Sequence, residues 1–156
     1  MKKITLLLML FTATISFAQL KPVEESKSPL VEVGKIQPMG QPLQMSCSTN
    51  AEKNIYGFSY LDTEYKQLKQ YENFILVETG QDFDTLYKTI MDGLAGKEEK
   101  SIKFELKDNL LWVNFVRSFG MTLVSFSSIK GKDEVLHKGT SNMFTKQQIE
   151  KLFGKK

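Results

Sequence analysis

The sequence predicts an α+β domain: an antiparallel sheet of four to five strands, an amphipathic helix at about 82–95 on one sheet face, and a short C-terminal helix at about 146–153. Three observations lead there. The stretch Phe74–Val116 runs from a continuous apolar segment (FILV) through a helix-period segment (DFDTLYKTIMDGLAG) to two alternating segments (KSIKFELKDNLLWVNFV). The links between the last three strong strands are short, which favours antiparallel meander order. Near the end, Thr145 and Gln148 have the spacing of a capping box, flanked by Phe144 and Ile149 in staple positions.

The first 18 residues read as an export signal. Lys2 and Lys3 form a basic start, Ile4–Phe17 is apolar but short for a membrane span, and Ser16-Phe17-Ala18 offers small residues at a cleavage site. The expected product, Gln19–Lys156, contains no second long apolar run. It is therefore expected in the periplasm or outside the cell, with no transmembrane segment after cleavage. Loss of Lys2 and Lys3 takes the formal charge from +3 to +1, which speaks against nucleic acid as a partner.

Residues 19–53 carry all four prolines, Pro22, Pro29, Pro38 and Pro42, and are rich in polar and turn residues. Proline removes backbone donors, so this segment reads as an extended arm, with Leu30–Val33 as one short edge strand at most. The Ser46–Asn50 stretch reads as a loop. The arm precedes a single α+β domain at 54–156.

Within that domain, Tyr56, Phe58 and Tyr60 alternate and predict a strand over 54–61. Asp62 or Thr63 then caps a short helix carrying Tyr65, Leu68 and Tyr71. The run Phe74–Val77 predicts a central strand covered on both faces. Asp82 is the expected cap of the main helix, whose stripe is Phe83, Leu86, Tyr87, Ile90, Met91 and Leu94, with Gly96 as its stop. A two-residue turn at Asp108-Asn109 sets Leu106 opposite Leu111, Phe104 opposite Val113 and Ile102 opposite Phe115. Arg117–Gly120 is a connection, Met121–Ile129 a strand, and Val135–His137 a short edge strand.

The hairpin leaves an oddity. Its second face holds Lys103, Glu105 and Lys107 together with Leu110, Trp112 and Asn114, and sets Trp112 opposite Glu105. An aromatic centre inside a charged rim has the composition of a recognition patch, so Trp112, Leu110, Lys103, Glu105 and Lys107 are the candidate binding residues.

Catalytic chemistry is thinly represented. His137 is the only histidine, and no nucleophile-elbow pattern surrounds Ser141 or any other serine. The single cysteine, Cys47, cannot form an internal disulfide and is expected to be a small buried residue. One Cys and one His do not make a zinc site, and the carboxylates of the 78–84 loop lack the spacing of a calcium loop. No catalytic residue, metal or cofactor is implied. The expectation is an exported, soluble, non-catalytic binding protein of the cell envelope or extracellular space, with a protein or an envelope surface component as partner. The rival reading is a small exported hydrolase using Glu78, Asp82 or His137, with its carboxylates near the 78–84 loop. The C-terminal lysines, ending Gly154-Lys155-Lys156, are a second basic feature suited to anionic surfaces.

Overall fold

A computed structural model describes residues 29–131 and 138–155. The segment 1–18, residue His137 and the strand expected at 135–137 lie outside the described residues. The described residues fold as α+β, with two antiparallel four-stranded sheets and two α-helices.

The first sheet has the order β1-β2-β3-β4, formed by Val31–Ile36, Met45–Thr49, Ile55–Leu61 and Tyr71–Val77. β1 is the edge strand expected near Leu30–Val33, extended to Ile36, and β2 corrects the reading of Ser46–Asn50 as a loop and of 19–53 as an arm. Met45, Cys47 and Thr49 point inward and are buried, while Ser46 and Ser48 alternate outward. That period of two is a half-buried strand despite its polar composition. The prolines stay outside it: Pro29 precedes β1, and Pro38 and Pro42 lie between β1 and β2.

β4 also differs from expectation. It is the last strand in its sheet, paired only with β3, and not a central one. Phe74 and Leu76 are buried, whereas Ile75 between them is 42% exposed. An apolar run arises here because the outward position happens to carry isoleucine. The free edge of β4 is guarded by the second sheet, whose Asn109 side chain reaches the Asn73 carbonyl. The short helix expected after residue 62 reduces to one 3-10 turn, Lys66–Leu68, with Leu68 exposed. Its apolar stripe was too thin to be buried against anything.

The second sheet has the order β5-β6-β7-β8, formed by Lys100–Glu105, Asn109–Ser118, Met121–Lys130 and Gly139–Thr140. The β5–β6 turn is Lys107-Asp108, one residue earlier than expected, because Leu106 donates its N–H to the Asn109 carbonyl. Asn109 is buried, and its amide points at the Asn73 and Ile129 carbonyls, which draws it into β6. The pairs are therefore Phe104 with Leu111, Ile102 with Val113 and Lys103 with Trp112. Moving the register by two keeps every side chain on its predicted face; a slip of one would have inverted them.

Helix α1, Asp82–Ala95, joins the sheets and buries Phe83, Leu86, Ile90 and Gly93. Helix α2, Lys146–Leu152, buries Ile149 and Leu152. Its capping box is present, with Thr145 accepting from the Gln148 N–H and Gln148 accepting from the Thr145 N–H. Gly154, at φ 64°, turns the chain out of α2. The last turn of α2 lies on Gly34 of β1, so close that a methyl group there would sit 2.1 Å from the Lys151 carbonyl oxygen. Both sheets and both helices share one core. Aromatic rings run through it: Phe58 stacks on Phe74 at 4.7 Å, Tyr56 on Phe83 at 3.9 Å, and Phe83 meets Phe153 at 4.9 Å.

Two polar contacts pin the far edge of the second sheet onto the first. The buried Tyr60 hydroxyl pairs with Ser128 Oγ at 2.7 Å, donates to the Gly139 carbonyl at 2.9 Å, and accepts from the Ser128 N–H at 3.0 Å. The buried Asp62 carboxylate accepts the Thr140 N–H at 3.2 Å and the Glu64 N–H at 3.1 Å. These contacts hold β8 in place, and β8 completes the surface described next.

Candidate functional site

Pleating puts Leu110, Trp112, Asn114 and Val116 of β6 on the face away from the core, because Leu111, Val113 and Phe115 take the inner face. The pairing then fixes one cross-strand row: Lys103, Trp112, Ser127 and Thr140, in the order β5-β6-β7-β8. Trp112 is half-buried. The Lys138 ammonium lies 4.0 Å from its ring centroid and the Lys103 ammonium 5.2 Å. Both distances are within cation–π range, so the indole orients two positive charges.

A second row of contacts runs beside the indole. Ser101 Oγ donates to Asn114 Oδ1 at 2.7 Å, Asn114 Nδ2 donates to Ser127 Oγ at 3.1 Å, and Ser127 Oγ pairs with Thr140 Oγ1 at 3.1 Å. Four strands are thereby tied by side chains on one face. Each hydroxyl keeps acceptor capacity, and the Asn114 amide has a second N–H.

The structure brings Trp112, Leu110, Lys103 and Glu105 onto this face. Leu110 is only 5% exposed and lies opposite the buried Ile129, so little of it is open to a ligand. Glu105 is exposed, opposite Leu110, and not opposite Trp112 as expected. Lys107 belongs to the turn, at a cleft of about 430 Å³ between that hairpin and the start of α1. Leu76, Leu86, Phe104 and Leu111 give the cleft its apolar walls. Lys138 was missed as a site residue. In the sequence it is one lysine of a basic C-terminal run; only the pairing of β8 with β7 carries it to the ring.

The 78–84 loop has a structural occupation. The Glu78 carboxylate accepts from the N–H groups of Gly80, Asp82 and Phe83, at 3.2, 2.7 and 2.9 Å. It, and not Asp82, satisfies the open N-terminus of α1. Asp82 accepts from Thr79 Oγ1 at 2.6 Å and from the Thr79 N–H at 2.9 Å. Those bonds, the hydroxyl's first, hold the Asp82 carboxyl below its ordinary pKa. A general acid needs the opposite shift.

The remaining nucleophile candidates face inward. Ser141 is buried, donates to the Asn142 carbonyl and accepts the Phe126 N–H. Cys47 is fully buried and free, and burial pushes its thiol up to about 12. Among the described residues no three His, Cys, Asp or Glu side chains gather as a metal site, and no helix is long and apolar enough to cross a membrane. At the C-terminus, Lys155 pairs with Asp84 at 2.9 Å and lies over the Tyr87 ring at 5.5 Å, which closes the chain end onto α1.

No family model, no curated protein and no solved structure matches the chain.

Proposed function

We propose that this protein is an exported, non-catalytic binding domain that holds an anionic component of the cell surface on the outer face of its second sheet. The observation that carries this reading is the pair of ammonium groups, from Lys103 and Lys138, oriented over one half-buried indole. A cation–π contact positions an ammonium while leaving N–H donors directed away from the ring. The row Ser101, Asn114 and Thr140, tied together through the buried Ser127, supplies hydroxyl and amide groups next to those charges. Two ammonium groups beside neutral hydrogen-bonding groups, with Glu105 further along the same strand, suit an acidic glycan, whose carboxylates meet the lysines and whose hydroxyls meet the row. Export is supported by the basic-apolar-small pattern of residues 1–18.

The hydrolase reading draws less support. Its carboxylates are engaged at the start of α1, and Asp82 is shifted away from general-acid duty.

The test is titration calorimetry of the purified protein with a uronic-acid polysaccharide and with a neutral one of similar length. The proposal expects binding of the acidic polymer only, weakened about tenfold or more in the Lys103→Gln/Lys138→Gln double variant and weakened by salt. Equal binding of both polymers, or a double variant that binds like the original, would contradict it.

A further inference from the structure

The β6–β7 hairpin turns through two residues, Phe119 and Gly120, with φ values of 50° and 78°. Both are left-handed, as in the tight hairpin turn that favours Asn-Gly or Asp-Gly. Glycine suits its place; phenylalanine does not, because a bulky side chain in this region is strained. Phe119 gains nothing in exchange, since it is 97% exposed. Met121, the next residue but one, is 52% exposed. The strain costs the fold, and the solvated side chain gains no burial to offset it. Lys53 and Lys69 share this φ, but Phe119 alone of the three is a bulky apolar residue, and strain of this kind clusters at functional sites.

The charge around the tip indicates what it meets. A cavity of about 550 Å³ opens beside it, between the hairpin, the end of α1 and the start of α2, and Lys97, Arg117 and Lys146 line it with Met121. Two carboxylates are near in sequence: Glu99, which accepts the Arg117 N–H at 3.1 Å, and its neighbour Glu98. Three cations beside an apolar tip match the two layers of an anionic bilayer surface, phosphate outside and hydrocarbon beneath.

We infer that the Phe119 hairpin is a membrane-surface anchor: Phe119 and Met121 enter the interfacial layer of an anionic phospholipid surface while Lys97, Arg117 and Lys146 engage its phosphates. The tip is separate from the Trp112 face, so this inference does not depend on that reading.

The test uses the protein as recovered after export, its N-terminus sequenced, in sedimentation with vesicles of phosphatidylcholine alone or with one third phosphatidylglycerol. Binding is expected to the anionic vesicles and to fall steeply with salt. Phe119→Asn places a turn-favoured residue at the tip. It is expected to raise the melting temperature by roughly 3–8 °C and to weaken vesicle binding about tenfold. Lys97→Gln is expected to weaken binding about fivefold without the gain in stability. Because the key variant is predicted to be more stable, lost binding cannot be ascribed to misfolding. Absence of vesicle binding, equal binding to neutral vesicles, or undiminished binding by Phe119→Asn would each overturn the inference.

Discussion

Replacing Gly34 by alanine tests whether the N-terminal strands are built into the domain. The added methyl would lie 2.1 Å from the Lys151 carbonyl oxygen and 2.7 Å from that of Leu152. An ordinary C···O contact is about 3.3 Å or longer. Both obstacles are backbone, so no side chain can swing aside; α2 or β1 must retreat by about 1 Å. Behind α2 stand Ile149, Leu152 and Phe153, all buried in the shared core. A gap of that size forfeits a quarter to a half of the dispersion attraction across it. Overpacking against a rigid neighbour costs about 3 kcal/mol. Alanine returns about 0.5–1 kcal/mol by restricting the unfolded chain. The net loss of about 2 kcal/mol corresponds to a fall of about 6–10 °C in melting temperature. Gly57→Ala is the control, because its methyl meets only Ser48 Oγ at 3.7 Å. Calorimetry should show Gly34→Ala melting well below the original and Gly57→Ala unchanged or slightly higher. If the two variants melt together, β1 does not lie beneath α2 and the packing described here is wrong.

Other outcomes follow from the buried polar groups. Tyr60→Phe removes a hydroxyl on which Ser128 and the Gly139 carbonyl depend, and should cost about 1–3 kcal/mol in urea unfolding. Burial raises Tyr60 to about 12 from 10.0 and Cys47 to about 12 from 9.0. Both folded values lie above the unfolded ones, so the stability these groups confer is intact below pH 9.0 and lost as pH rises toward about 12. A urea midpoint that is flat from neutral pH to about 11 would contradict both burials. Cys47 should be inert to a thiol reagent at pH 8 and react fully in denaturant; rapid reaction of the folded protein would refute its place in the core. Glu78→Ala strips the acceptor from three N–H groups at the start of α1 and should cost about 1–2 kcal/mol.

Elements signalled by local periodicity were legible in the sequence. The stripe of α1 and the Thr145–Gln148 box each lie within one element, and the structure places both where the pattern does. Composition hid β2 and all but the first residues of β1. Prolines around 29–42 suggested an irregular arm, yet they stand outside the strands and delimit them. Ser46 and Ser48 masked an inward alternation that Met45, Cys47 and Thr49 carry. The candidate binding face was half legible. Trp112 and Lys103 belong to adjacent strands, so hairpin pairing alone joins them. Lys138 reaches the ring through β8, which Tyr60 and Asp62 hold from positions more than 70 residues earlier in the chain. Nothing in a local window encodes that contact.

An anionic component resting on the proposed Trp112 face would be watched by the single tryptophan of the chain. The most direct measurement is its fluorescence during titration with a uronic-acid oligosaccharide, for the original protein and for Lys138→Gln. A saturable change in emission in the original, displaced to about tenfold higher concentration in the variant, is the predicted result. Binding that calorimetry registers while the tryptophan emission stays constant would contradict the claim and move the site elsewhere on the molecule.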